Sequence, residues 1–142
     1  MARRVGVTVK AGVPLRLAIV VLVAIVLTPR AFAHHSFAAF FVSDRMTTVK
    51  GTVLDFQFRN PHGMIRLTVT DQNGVRTIWK AETNSPSILE RRGWTAYSLK
   101  SGDAISIEGW PARDGSNYLR MRVVKRADGT TIGIPFDAAE QK

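Results

Sequence analysis

One strand-like segment changes its apolar face partway along its length, and this feature limits the folds available to the chain. Within residues 48–58, Val49 and Val53 share one parity, whereas Phe56 has the other. Because side chains alternate across a strand, the change requires a bulge or a strong bend, which Gly51 makes easier. A long, bent first strand that joins both halves of a small barrel meets this requirement.

The rest of the sequence predicts the order of the strands and the helix along the chain. A helix is predicted after the third strand, since Ser85 suits an N-cap, Pro86 the first helical position and Gly93 the left-handed exit. Three strands, a helix and two strands is the order of an OB-fold, so we predict an all-β fold, an OB-fold-like five-stranded antiparallel barrel with one short helix. Another small antiparallel barrel or sandwich, with the helix plugging one end, is the alternative. The predicted strands after the first span residues 64–70, 75–81, 104–110 and 118–125.

Residues 1–33 have the organisation of a signal peptide. Basic residues precede an apolar run of 11 residues at 17–27, and Ala31 and Ala33 give the small-x-small pattern of a cleavage site. A retained membrane anchor is the alternative, but a spanning helix needs about 20 apolar residues. We therefore predict cleavage after Ala33, export to the periplasm or the medium, and no stable membrane anchor afterwards.

After cleavage, the chain is predicted to form one domain with two extensions. An N-terminal arm at 34–46 precedes the barrel domain at 47–136, and a frayed tail follows at 137–142. Five of the 20 basic residues and none of the 11 acidic residues lie in the leader, so the mature net charge is +4 rather than +9. This modest charge suits solubility and is not by itself a nucleic-acid footprint. The chain has no cysteine, which excludes disulfides, thiol catalysis and thiolate metal sites.

Several short motifs together resemble a known family. They are HHSFAAF at 34–40, NPH at 60–62 and RGW at 92–94. With them, the chain resembles a family of small exported bacterial proteins classed as a domain of unknown function. The resemblance implies export and a small β-rich domain, and it implies no reaction and no catalytic residue.

The histidines suggest a metal site. A chain cut after Ala33 begins with a free amine on His34, followed by His35, and His62 lies in a predicted turn. An amine and imidazoles form a nitrogen-rich donor set, which favours Cu(II), so we predict a possible copper site at His34, His35 and His62. The alternative is a polar, disordered arm and a turn histidine that caps a carbonyl group.

No catalytic set is recognisable, and the domain is predicted not to be an enzyme. Ser36 is adjacent to His35, but neighbours in an extended arm face opposite ways, and no Gly-x-Ser-x-Gly elbow occurs. The acidic residues are scattered along the chain and form no visible pair.

One basic strand face is a candidate binding surface. Tyr118, Arg120 and Arg122 share the parity opposite to Leu119 and Met121, so they are predicted to face outward. Aromatic and basic faces bind single-stranded nucleic acid, but export removes the protein from most nucleic acid, and we predict none as a partner. A polyanion or oligosaccharide is the remaining ligand for these three side chains.

We therefore predict a non-enzymatic periplasmic binding or accessory domain with a possible copper ion at its mature N-terminus. The alternative is a cofactor-free module for protein interaction or envelope assembly, with an unknown partner in the cell envelope. The aromatic side chains of the arm, Phe37, Phe40 and Phe41, are predicted to dock on the barrel.

Overall fold

The computed structural model describes residues 37–141, and the predicted signal peptide, His34 and His35 lie outside this range. No helix in the described range is long and apolar enough to cross a membrane. The described helices are α1 (Phe37–Phe40) and α2 (Pro86–Glu90), with a 3-10 turn at Ala138–Gln141. The described strands are β1 (Thr47–Gln57), β2 (Met64–Thr70), β3 (Arg76–Glu82), β4 (Ala104–Pro111), β5 (Tyr118–Arg126) and β6 (Thr131–Ile132).

Five strands close into a barrel. The sheet has the order β3-β2-β1-β4-β5-β6, and an additional pairing of β3 with β5 completes the ring. The predicted five-stranded OB-like barrel with one helix after the third strand is confirmed. The pair that closes the ring, β3 and β5, is parallel, whereas the other strand pairs are antiparallel. A closed ring with an odd number of strands cannot alternate direction throughout, so one pair must be parallel.

The change of face in β1 is produced by a bulge. β1 pairs with β4 through its first half and with β2 through its second half, and Thr52 pairs in both ladders. The register with β2 shifts between Val53 and Asp55, which makes Leu54 the extra residue. The bulge therefore lies where the apolar parity changes, between Val53 and Leu54, as the sequence predicts. Gly51 is needed for a different reason, since a Cβ atom there would lie 2.5 Å from the Thr68 carbonyl oxygen.

The core fills the barrel, and α2 closes one end of it. Val53, Leu67 and Ile107 are at most 1% exposed inside the barrel. Leu89 of α2 is fully buried in the same core, which contributes about 2 kcal/mol of stabilisation. The helix ends as predicted, with Gly93 at a φ of 82°. Ser85 occupies the N-cap position, but its side chain makes no capping hydrogen bond.

Both extensions of the barrel carry short helical turns. The predicted arm begins with α1, and its backbone continues beside the end of β4, where Phe41 forms an isolated bridge with Ala112. The predicted frayed tail contains the 3-10 turn, whose Glu140 lies 2.5 Å from the guanidinium of Arg92. The sequence pattern predicts no regular structure in either extension. In the structure, the arm pairs with the barrel at Phe41, and the tail forms an ion pair with Arg92.

Candidate functional site

The turn between β1 and β2 is packed tightly against the end of β3. The Thr83 amide donates to the Gly63 carbonyl oxygen at 2.9 Å, and the Gly63 amide donates to Asn84 at 3.3 Å. A Cβ atom at Gly63 would lie 2.5 Å from the Thr83 hydroxyl and 2.8 Å from the Gln57 carbonyl oxygen. Only glycine fits this close approach. The packing places His62, the residue before Gly63, beside the last residue of β3.

That last residue is Glu82, whose carboxylate is shared by three side chains. His62 Nδ1 lies 2.7 Å from Glu82 Oε1, and Arg120 Nη1 donates to the same oxygen at 2.7 Å. The Tyr118 hydroxyl donates to the other oxygen, Oε2. We call these four residues the Glu82 cluster: His62, Glu82, Tyr118 and Arg120. The cluster brings together residues of the β1–β2 turn, β3 and β5.

The cluster fixes the proton position on His62. Because Glu82 already accepts hydrogen bonds from Arg120 and Tyr118, it acts as an acceptor toward His62 as well. Nδ1 therefore carries the hydrogen, and the lone pair of the neutral ring is on Nε2. The His62 side chain is 46% exposed, whereas Glu82 is 18% exposed. The arrangement thus presents an oriented imidazole nitrogen that can bind a metal ion or accept a proton.

Arg120 is buried, which corrects the prediction that it faces solvent. Its residue is 7% exposed, and Nη1 also donates to the Thr83 carbonyl oxygen at 2.8 Å. Its parity is opposite to the core residue Leu119, as predicted, but the arm and the end of β3 cover this side of β5. Burial lowers the pKa of Arg120, while the charge of Glu82 acts in the opposite direction. The guanidinium still remains charged at neutral pH, so it forms an ion pair with Glu82.

Arg122 lies apart from the Glu82 cluster. The register between β4 and β5 shifts from the pair of Glu108 and Val123 to the pair of Gly109 and Met121, so Arg122 is the bulged residue. Its Nη1 atom donates to Glu108 Oε1 at 2.8 Å. The three side chains predicted to form one ligand-binding face are therefore divided between two ion-paired groups, and Arg120 presents no open cationic surface.

The docked arm covers Tyr118. The rings of Phe37 and Trp110 meet edge to face with centroids 5.3 Å apart, and the Phe41 and Tyr118 centroids are 5.5 Å apart. Phe41 is 5% exposed, whereas Phe40 is 52% exposed. The predicted docking is confirmed for Phe37 and Phe41. The arm thus packs on the barrel beside Tyr118, a residue of the Glu82 cluster.

Tyr118 is held in its neutral form. Burial, followed by the hydrogen bond to Glu82, raises the pKa of Tyr118 well above its ordinary value of 10.0. Because its pKa is raised in the folded state, Tyr118 contributes its full stabilisation at pH values below its unfolded-state pKa. That stabilisation is lost as the pH rises through the folded-state pKa. We expect the difference spectrum between the wild type and Tyr118→Phe to show no tyrosinate absorbance at about pH 10. A half-ionised tyrosine in that spectrum would contradict the buried hydrogen bond.

The comparisons with known proteins identify the family. The family model for DUF6152, described as a family of unknown function, matches residues 21–120, which is more than half of the chain. The chain belongs to this family. The predicted resemblance to a family of unknown function is thereby confirmed. No curated protein matches the chain.

This DUF6152 chain is also similar to solved structures of other proteins. It is similar to a small single-stranded DNA-binding protein from Streptomyces coelicolor, with 19% identity, a TM-score of 0.43, and coverage of 58% of this chain and 90% of that one. It is also similar to a mitochondrial single-stranded DNA-binding protein from S. cerevisiae, with 12% identity, a TM-score of 0.40, and coverage of 66% and 90%. The prediction that excluded nucleic acid as a partner is withdrawn, because both similar structures are of single-stranded DNA-binding proteins. The likeness itself assigns no ligand to this chain.

Glu82 is the residue of the site that sequence reasoning missed. Its position follows from the parallel register of β3 and β5, in which Glu82 lies opposite Arg120. The alternation of side chains in β3 gives no sign of that partner strand. Within residues 37–141, no group of three or more histidine, aspartate or glutamate side chains is arranged to hold a metal ion. Of the three predicted metal ligands, His62 is the one that lies in the described range.

Proposed function

We propose that this protein is an exported, non-enzymatic accessory domain that binds a metal ion, copper, at its mature N-terminus. The proposed ligands are His62 through Nε2 and the N-terminal residue His34 through its amine and imidazole, with His35 as a further donor. The observation that carries the proposal is the 2.7 Å contact between His62 Nδ1 and Glu82. A carboxylate that holds the remote nitrogen of an imidazole is the usual companion of a metal-binding histidine.

The rigidity of Glu82 supports this role. Arg120 holds one carboxylate oxygen and Tyr118 the other, so the carboxylate cannot turn away from His62. A ligand that is already oriented loses less conformational freedom when the ion binds. The positive charge of Arg120 also balances the charge of Glu82.

The docked arm supports the contribution of the N-terminus. Phe37 and Phe41 are anchored against Trp110 and Tyr118, and Tyr118 in turn contacts Glu82. His34 precedes Phe37 by three residues, a length of chain that spans at most about 11 Å when extended. The proposal requires the start of the mature chain to reach His62 within that length.

The donor types decide between metals. An amine and imidazoles provide nitrogen donors without a thiolate, and divalent copper has the highest affinity for such sites among the first-row metals. A structural zinc site would need four protein ligands, which this donor set does not provide without an added carboxylate. The bound ion would supply Lewis acidity or a redox centre to a partner in the envelope.

The test is calorimetric titration of the processed protein with Cu(II), after its N-terminus has been verified by mass. We expect one ion per chain with a dissociation constant of about micromolar or tighter, and a loss of at least about tenfold in His62→Ala. His34→Ala should weaken binding to a similar degree because it removes one imidazole.

A matched control separates the amine from the imidazoles. A processed chain acetylated at its N-terminus has the same three histidines but no free amine to bind the ion. Its affinity should fall to the level of His34→Ala. Equal affinity in the wild type, this chain and His62→Ala would overturn the proposal and favour the cofactor-free interaction module. A mature chain that starts at another residue would overturn it as well.

A further inference from the structure

A second, chemically different surface lies on the outer side of the sheet. An open groove of about 620 Å³ runs across β1, β2, β4 and the end of β5. It shares no lining residue with the Glu82 cluster. Its polar lining residues include Lys50, Thr52, Thr68, Thr70, Ser106 and Lys125.

Two lysines flank a serine in the floor of this groove. Lys50 of β1 pairs with Ser106 of β4, and Ser106 pairs with Lys125 of β5. Since neighbouring strands are about 4.8 Å apart, the Cα atoms of the two lysines are about 10 Å apart with the hydroxyl between them. Both ammonium groups are on flexible stems that can converge on one anion placed over Ser106.

The neighbouring row of paired residues in the groove has short side chains, most of them polar. Thr52 pairs with Thr68 on one side and with Ala104 on the other. These short side chains leave space above the sheet, while the longer lysines in the neighbouring row stand above it. The result is a shallow cradle with hydroxyl donors in its floor and cations at its sides.

The groove lining holds three basic side chains, Lys50, Lys125 and Arg126, and the charge of Arg126 interacts with Asp103 and Asp128. No aspartate or glutamate lines the groove, and no ion pair among residues 37–141 involves Lys50 or Lys125. The acidic residues on the strands near the proposed ligands pair elsewhere, Asp55 with Arg66 and Glu108 with Arg122. Asp103 pairs with Lys100, and Asp128 accepts hydrogen bonds from the Thr130 amide and hydroxyl.

The lining also restricts the kind of anion. Among the described residues, no aromatic side chain lines the groove, so these residues offer no platform on which a nucleobase can stack. Hydroxyl groups and ammonium groups are instead the donors that tetrahedral oxyanions accept from. We propose that this groove binds a phosphate or sulfate group, with Lys50 and Lys125 as the cationic ligands and Ser106 as the hydroxyl donor.

The proposal is tested by titrating the processed protein at low salt and following backbone amide shifts. Inorganic phosphate, inorganic sulfate and an alkyl phosphate monoester are the probes. Saturable shifts at Ser106 and Lys125 are expected, and the double substitution K50Q/K125Q should weaken phosphate binding about tenfold. If the monoester binds more tightly than inorganic phosphate, the natural ligand is an ester rather than the free ion.

A charge-matched variant controls for general electrostatics. The double substitution R59Q/K80Q removes the same two charges from exposed positions outside the groove and should leave the affinity unchanged. Shifts that do not saturate, or an equal loss in R59Q/K80Q, would overturn the proposal. Tighter binding of an oligothymidylate strand that persists in K50Q/K125Q would place an anionic polymer elsewhere and overturn it too.

Discussion

Replacing Phe41 with alanine is expected to lower the free energy of unfolding by about 3 kcal/mol, the lower end of the range for buried phenylalanines. Phe41 is 5% exposed, and its ring contacts the rings of Phe37 and Tyr118. Its removal leaves a void between the arm and β5. We take the lower end because the arm is attached at one side only and can partly close over the void.

Phe41→Ala should loosen the arm in addition to lowering the stability of the whole domain. This local effect distinguishes it from an ordinary core substitution. The Val42 amide donates to Pro111 at 3.0 Å, and the Arg113 amide donates to Phe40 at 2.9 Å. In Phe41→Ala, hydrogen exchange at Val42 and Arg113 should accelerate more than exchange in β1 and β2. Denaturant unfolding monitored by circular dichroism provides the global value.

The neighbouring phenylalanine provides the comparison. Phe40→Ala makes the same chemical change in the same arm at a position that is 52% exposed. We expect it to cost less than half as much as Phe41→Ala, because less apolar surface is withdrawn from water. Equal losses in the two variants, or unchanged exchange at Val42 in Phe41→Ala, would show that the ring contacts around Phe41 do not hold the arm.

The barrel was predictable from the sequence because its strands alternate cleanly. The pattern around Ile65 and Leu67 and around Ile105 and Ile107 places the correct residues inside. Alternation reports which face of a strand is buried against the core, and it holds until a bulge intervenes. At Arg122 the register shifts, and Val124 rather than Val123 joins the core cluster. A bulge of this kind depends on the partner strand and leaves no mark in β5 alone.

The site was less predictable because its residues meet through tertiary pairing. His62 was identified from its residue type and its position in a turn, but Glu82 is one of 11 acidic residues and has no distinguishing neighbours in sequence. Arg120 was assigned to solvent because parity separates it from Leu119. Parity shows only that a side chain points away from the core, and a second layer such as the arm can still cover it.

Replacing Glu82 with alanine is expected to be about as costly as the loss of Phe41, at about 3 kcal/mol, for an electrostatic reason. Removing one partner of a buried ion pair withdraws a charge while the other remains in a poorly hydrated place. In this variant Arg120 loses the Glu82 carboxylate, and the buried hydroxyl of Tyr118 loses its acceptor. Denaturant unfolding at neutral pH measures the change.

The conservative variant Glu82→Gln separates charge from shape. It keeps one acceptor oxygen and the volume of the side chain, so it should cost about 1–2 kcal/mol, as expected for a charged hydrogen bond made neutral. The double variant E82Q/R120M removes both charges and should be less destabilised than the sum of its single variants, since no charge is left behind. Additive losses would show that Glu82 and Arg120 are not energetically coupled.

The same substitution distinguishes a positioning role of Glu82 from a purely structural one. If Glu82 orients His62, Glu82→Gln should weaken Cu(II) binding by about 10–100-fold, the usual effect of losing the outer partner of a metal-binding histidine. Glu108→Gln is the matched control, because Glu108 also pairs with an arginine but does not contact His62, the histidine of the described range. Its stability should fall slightly while its copper affinity stays at the wild-type value. An equal loss of affinity in both variants would mean that Glu82 acts through net charge alone, because orientation of the His62 ring is unique to Glu82.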